Sequence, residues 1–227
     1  MRTFRLLGAA VVVATAVLSS HAAVIYNNSS NDLVARFETG IREVGNEVIL
    51  NQNDYANRIL SRFTFEYFAV NDVNPGGTLS GANISVTLRL YANNGPAYNG
   101  YNSPGALLGT ATYSGITATP RSVLEFLSTD FVGTVNIPWD RMTWTVQFSG
   151  LGANDRVGLD IYGPPVVGQV FPDYWERTML GWQLFDNPIT PTFGSTIEAV
   201  PEPQVAYLLG LAGLLGLVFG RRFLRRG

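Results

Sequence analysis

The chain has 227 residues, 46% of them apolar, with a formal net charge of −2; that is enough apolar side chain to close a buried core, and it excludes a disordered polymer. Six of the 15 basic residues sit at the two ends, so residues 23–199 hold nine Arg against 16 Asp and Glu, a balance of −7 that repels phosphate backbones, and no nucleic-acid partner is expected. There is no Cys, no Lys and one His, His21, which removes His/Cys metal sites, Ser-His and Cys-His nucleophile pairs, Schiff bases and the lysine of a phosphate-binding loop.

Residues 1–22 read as a secretory signal. Arg2 and Arg5 precede an apolar run from 6 to 18, and Ser20 and Ala22 satisfy the small-x-small cleavage rule. The cut is expected after Ala22, with Ala23 as the near alternative, so His21 would leave with the signal.

The body, residues 23–199, carries period-two alternation, the mark of strands with one buried face. Ile59, Phe63, Phe65 and Tyr67 alternate with Arg62, Thr64 and Glu66; Ile84, Val86, Leu88 and Leu90 follow in residues 83–90. Trp144, Val146 and Phe148 form a third inward set, Val157, Leu159 and Ile161 a fourth, and Leu180, Trp182 and Leu184 continue the pattern. The clusters NDVNPGG, YANNGPAYNGYNSPG and GLGAND between them supply turn chemistry. With no amphipathic helix and no fixed-period repeat in the body, the expectation is one all-β domain, an antiparallel β-sandwich. Its size favours a jelly-roll-like form over an immunoglobulin-like one. An N-terminal signal helix and a C-terminal transmembrane-like helix would flank it.

Two irregular stretches hold the residues best suited to a ligand. Tyr98 and Tyr101 sit among Asn and Gly in the first; Tyr174 and Trp175 sit beside Asp173 and Glu176 in the second. Sugars stack their C–H faces on aromatic rings while Asp, Asn and Glu bind the hydroxyls, so these six are the candidate glycan contacts. The same rings would equally serve to plug the ends of a sandwich. A glycan-cleaving enzyme needs two facing carboxylates, for which Asp173 with Glu176, or Glu66 with Asp160, are the pairs on offer. The many acids of an exported body also serve solubility, and no catalytic residue is assigned. Calcium wants only oxygen ligands, and Asn154, Asp155 and Asp160, or Asn71, Asp72 and Asn74, offer them at turns. No dense D-x-D-x-D loop occurs, so turn chemistry is the expectation and no metal or cofactor is assigned. Two T-x-T pairs, Thr110/Thr112 and Thr117/Thr119, fall short of an ice-binding ladder.

The chain closes with VPEPQVAYLLGLAGLLGLVFGRRFLRRG, residues 200–227. Its apolar run, 205–219, would make a helix about 22 Å long, against a hydrocarbon core of ~30 Å. Gly210, Gly213 and Gly216 leave one side of that helix open to another helix. Arg221, Arg222, Arg225 and Arg226 would stay on the cytoplasmic side, leaving the body outside. Pro201 and Pro203 hold Glu202 in extended backbone, where a processing enzyme can read it. Motif, short helix and arginine cluster, in that order, resemble the PEP-CTERM sorting signal of Gram-negative bacteria. The resemblance implies export through the inner membrane, transient anchorage there, and recognition by the membrane-embedded transpeptidase exosortase alongside the secretion machinery. The final address is then the cell surface or extracellular matrix, in the company of exopolysaccharide and biofilm assembly. Residues 24–188 are less specifically similar to the choice-of-anchor bodies of such proteins, through EVGNEVIL, FTFEYF, TPRSVLEF, MTWTVQFSGL and GLDIYGPPVVGQVFPDYWE. The expected role is a non-enzymatic structural or adhesive surface component. The alternative is a carboxylate-dependent carbohydrate-active enzyme, a glycoside hydrolase or lyase.

Overall fold

The computed structural model describes residues 21–52, 58–138, 140–186 and 192–201. The expected signal helix, the helix at 205–219, Glu202, Pro203 and the terminal arginines lie outside the described residues. Among the described residues no helix is long and apolar enough to cross a membrane.

The strands are β1 Ala23–Asn28, β2 Asp32–Glu38, β3 Glu43–Ile49, β4 Arg58–Asn71, β5 Ser85–Ala92, β6 Ala97–Tyr98, β7 Tyr101–Asn102 and β8 Leu107–Ser114. After them come β9 Thr119–Leu127, β10 Asn136–Ile137, β11 Arg141–Ser149, β12 Asp155–Tyr162, β13 Gln169–Val170, β14 Asp173–Thr178, β15 Gly181–Asp186, β16 Thr192–Phe193 and β17 Ser195–Pro201. Every pairing is antiparallel. The protein is therefore all-β, as its alternation demands.

One sheet is built on the 14-residue β4. Along one edge β4 pairs β9 and β10; along the other it pairs β12 at its far end and β17 at its near end. Where β4 and β12 part, residues 192–201 enter the fork: β16 pairs β12, then Gly194 bridges from Asp160 O to Glu66 N, and β17 continues beside β4. A Cβ at Gly194 would lie 2.5 Å from the ring of Tyr162, so only glycine passes there. β2 and β1 complete the outer edges on β12 and β17. The second sheet runs β15-β14-β3-β11-β5-β8, with β13 also on β3, and β6-β7 is a separate two-residue hairpin.

The two sheets share one core, and aromatic rings join them. Trp144 of β11 lies 5.4 Å from Phe63, 6.2 Å from Phe65 and 6.1 Å from Phe193, centroid to centroid, all three on the first sheet. Tyr67 meets Phe148 in the same way at 6.1 Å. Asn46 adds a polar cross-link: its amide donates to Asp173 O at 2.8 Å and accepts from Phe193 N at 2.8 Å. A buried side-chain amide satisfied by both sheets fixes their relative register as apolar packing alone does not.

The inward sets expected around Val86, Trp144 and Val157 are buried as read. Two details differ. In β4 the core residue is Leu60, not Ile59, because Ser61 is an extra residue: Arg62 pairs Glu198 while Leu60 pairs Ala199. A bulge of this kind inverts the alternation of everything beyond it. In the last hairpin Leu180 lies exposed at the tip, and Trp182 faces outward onto Tyr91 at 5.3 Å. Phe185 is the ring of β15 that packs on the core, stacked on Tyr174 at 5.4 Å. Neighbours on a strand point to opposite faces, so choosing the wrong one moves the whole set.

Candidate functional site

Both sheets carry polar groups on their outer faces, and the second sheet buries many of them. Along β3, Val44, Asn46 and Val48 point to the core, so Glu43, Gly45 and Glu47 point outward. Glu43 accepts from Tyr91 Oη and Thr145 Oγ1, each at 2.9 Å, and has Arg89 at 3.4 Å and Arg177 at 3.6 Å. Beside it Glu47 meets Arg141 at 3.2 Å; burial pushes its carboxyl upward against the pull of Arg141.

The six candidate glycan contacts fall into this layer and the core beneath it. Trp175 pairs across strands with Gly45 and is fully buried. The missing side chain at Gly45 lets the strands close, since a Cβ there would lie 1.8 Å from Trp144 O. Tyr98, half-buried on the β6-β7 hairpin, stands against Trp175, and Tyr101 stands against Phe171 at 5.6 Å. Tyr174 belongs to the core, edge-on to Phe37 at 4.8 Å. Asp173 is buried, and Glu176 is held by Arg42 at 2.8 Å. Tyr174 and Trp175 thus have no free face for a sugar; only the hairpin rings retain partial exposure. Asp173 and Glu176, three apart on β14, point to opposite sides and cannot face each other across a bond.

The turn acids do what turn acids commonly do. Asp155 accepts from Ser80 N at 2.7 Å, Ser80 Oγ at 2.9 Å, Gly81 N at 2.7 Å and Gly152 N at 2.8 Å. Burial works to raise its pKa, but these donors outweigh it and hold the carboxyl below its ordinary value. Asn71 caps its own turn through Val73 N and Asn74 N, both at 3.1 Å, and Asp72 pairs Arg156. Among the described residues no group of three or more His, Cys, Asp or Glu is arranged for a metal ion.

Glu66 and Asp160 do come together, on the outer face of the first sheet. They stand on either side of Gly194, and Arg121 from β9 ties Glu66 to Asp32 of β2: its Nε donates to Glu66 at 2.7 Å, and its Nη1 to Asp32. Arg36 Nε lies 3.5 Å from Asp160 Oδ1, and its Nη2 donates to Pro120 O at 2.5 Å. Each guanidinium rests on a ring, Arg36 over Phe68 at 5.1 Å and Arg121 over Tyr162 at 5.4 Å, which restricts its motion. Asp32, Val34, Arg36, Arg121 and Asp160 line a cavity of about 270 Å³. Desolvation raises the Asp160 carboxyl above its ordinary value despite Arg121 and Arg36, whereas the Val34 N–H and Arg121 hold Asp32 below its own. Sequence reasoning named Glu66 and Asp160 but missed Asp32, Arg36 and Arg121. Asp32 and Arg36 share β2, but Arg121 arrives from β9 and Glu66 and Asp160 from β4 and β12, so no spacing along the chain joins the five.

Comparison with protein families, curated proteins and solved structures finds no match.

Proposed function

We propose that the chain is an exported surface or extracellular-matrix component whose jelly-roll-like body is addressed by its PEP-CTERM-like tail. Pro201, Glu202 and Pro203 are its exosortase-readable motif, with Arg221 and Arg222 as its cytoplasmic stop. The body serves structurally or adhesively, in contact with exopolysaccharide, and carries out no bond cleavage. The observation that supports this reading best is that each carboxylate pair read from the sequence is split or has a member tied up within the fold. Asp173 and Glu176 point apart, Glu66 is held by Arg121, and Asp155 is enclosed by its turn. A hydrolase needs two carboxylates free to meet one glycosidic bond. A second support is the join of body and tail: β17 pairs Pro201 with Arg58, so the motif starts where the last strand ends.

Mass spectrometry of protein recovered outside producing cells tests the address. The expected result is a mature chain lacking residues 205–227; external material with intact peptides reaching Phe223 would overturn it. Incubation with polysaccharides tests the role: binding without released oligosaccharide is expected, and product release would favour the carbohydrate-active enzyme.

A further inference from the structure

We propose that the tip of the β14-β15 hairpin, with Ile41 beside it, is a lipid-inserting element that seats the body on a membrane surface of anionic lipid. The inference rests on the reading above, in which the anchoring tail is discarded and the body remains at the cell surface; the tip gives it a hold there.

Turn chemistry does not account for the residues at this tip. Thr178 pairs with Gly181, so the connection consists of Met179 and Leu180, at positions where hairpins favour Asn, Asp and Gly. Met179 is fully exposed and Leu180 is 89% exposed. The loop is nonetheless fixed: Thr178 Oγ1 accepts from Leu180 N at 3.1 Å and donates to Gly181 O at 3.0 Å, and Gly181 supplies φ 100°. Trp175 pairs Gly45 and Arg177 pairs Glu43; continued by two residues, that register brings Met179 level with Ile41, which is exposed too. Three large apolar side chains thus project from one end of the sandwich, and a contiguous exposed apolar patch marks an interaction surface.

Shape and charge select the partner. A two-residue hairpin tip is convex and offers no groove for a peptide, so its apolar atoms suit a fluid hydrocarbon phase. Behind it, Arg177 lies over Trp182 at 5.7 Å and Arg42 over Phe37 at 5.5 Å. These guanidiniums are 55% and 43% exposed, whereas their carboxylate partners, Glu43 and Glu176, are 5% and 13% exposed. The charge presented next to the tip is therefore positive and complements anionic headgroups. Glu38 and Asp72, acids of the same end, belong to the side of the first sheet and are held by Arg156. An apolar tip backed by Trp and Arg is the order in which an interfacial element meets a bilayer. The tail leaves from the other end. Trp144 meets Phe63 and Phe148 meets Tyr67, so β11 and β4 run the same way, and Gln147 near the end of β11 pairs Glu43 beside Arg177. The tip thus lies where β4 finishes, while Pro201 pairs Arg58 where it begins. The 14 residues of β4 separate the two by roughly 45 Å at the usual strand rise. The tip points away from a membrane that holds residues 202–227, toward a second lipid surface.

The test uses the full chain, reconstituted through its tail into one population of phosphatidylglycerol vesicles, with a second, protein-free population of the same lipid carrying a different fluorophore. Energy transfer between the populations reports bridging. Wild type is expected to float with the first population and to bridge it to the second. M179D/L180D, which alters only exposed side chains, should float equally, keep the wild-type thermal midpoint and bridge at least tenfold less. Bridging that survives the double substitution, or flotation of wild type without bridging, overturns the tip and leaves the address reading standing. Wild type that does not float at all overturns both. Bridging only when both populations carry the chain assigns the tip to a second copy and overturns the lipid partner. Equal bridging of phosphatidylcholine vesicles overturns the choice of an anionic surface.

Discussion

The phenol of Tyr98 stands edge-on against the indole of Trp175, their centroids 6.1 Å apart and their planes at 67°. Through this contact a two-residue-strand hairpin meets the outer face of the second sheet, where Glu43 and Trp175 are buried. Tyr98→Ala should leave the sandwiched core intact, cost about 1 kcal/mol, and open Trp175 to solvent. The check is acrylamide quenching of tryptophan fluorescence: quenching should rise in the variant, and an unchanged value would mean that the hairpin is not the cover.

Asp155 holds two loops together, the one around Ser80 and the one around Gly152, through four donors. Asp155→Ala should destabilise by roughly 2 kcal/mol, the scale of hydrogen bonds to a charged acceptor. The folded carboxyl lies below its ordinary 3.8, so its contribution is present above that value and is lost as pH falls through the folded pKa. Urea titrations at a series of pH values should show wild type and variant converging in acid. A constant gap across the series would contradict the assignment.

Asp160 carries the opposite sign. Its folded pKa is raised by desolvation, so the stability it contributes is present in acid, below the unfolded value, and is lost as pH rises through the folded value. The groups facing it are Arg36 and Arg121, with Glu66 and Asp32 beyond. Asp160→Asn should therefore be at least as stable as wild type at neutral pH, and its relative advantage should shrink in acid. Thermal unfolding at neutral and acid pH reads it directly, and a variant that is less stable at neutral pH would contradict the sign.

The bulge at Ser61 makes a sharp contrast between neighbours. Leu60→Ala removes a fully buried side chain and should cost about 2–5 kcal/mol, whereas Ile59→Ala, on the opposite face, should cost less than half as much. Chemical denaturation of the two variants checks the phase of β4; equal losses would place both residues in the core.

Much of the architecture was legible because strand alternation is a local property. Val86, Leu88 and Leu90 announce their face within a few residues, as do Trp144, Val146 and Phe148, and NDVNPGG and GLGAND announce their turns. The failures have one cause. Leu60 replaces Ile59 because β4 takes up an extra residue, Ser61, in its pairing with β17, and Phe185, not Trp182, faces inward because the β14-β15 pairing sets its phase. The candidate rings misled for a related reason: Tyr174 and Trp175 are adjacent in sequence, so β geometry sends one to the core and the other to the outer face, where the hairpin meets it.

By itself the sequence determined the class of structure and the chemistry available: an all-β body with no Cys, Lys or His in residues 23–199, and a tail whose proline-flanked acid, short apolar run and arginines are read residue by residue. Only the tertiary structure decided which carboxylates meet which guanidiniums. Asp32, Arg36, Glu66, Arg121 and Asp160 lie on four strands that touch through long-range antiparallel pairing, and their ion pairs form only once those strands are in register. Composition and periodicity act over a few residues of chain, whereas register is set by the closure of the whole core.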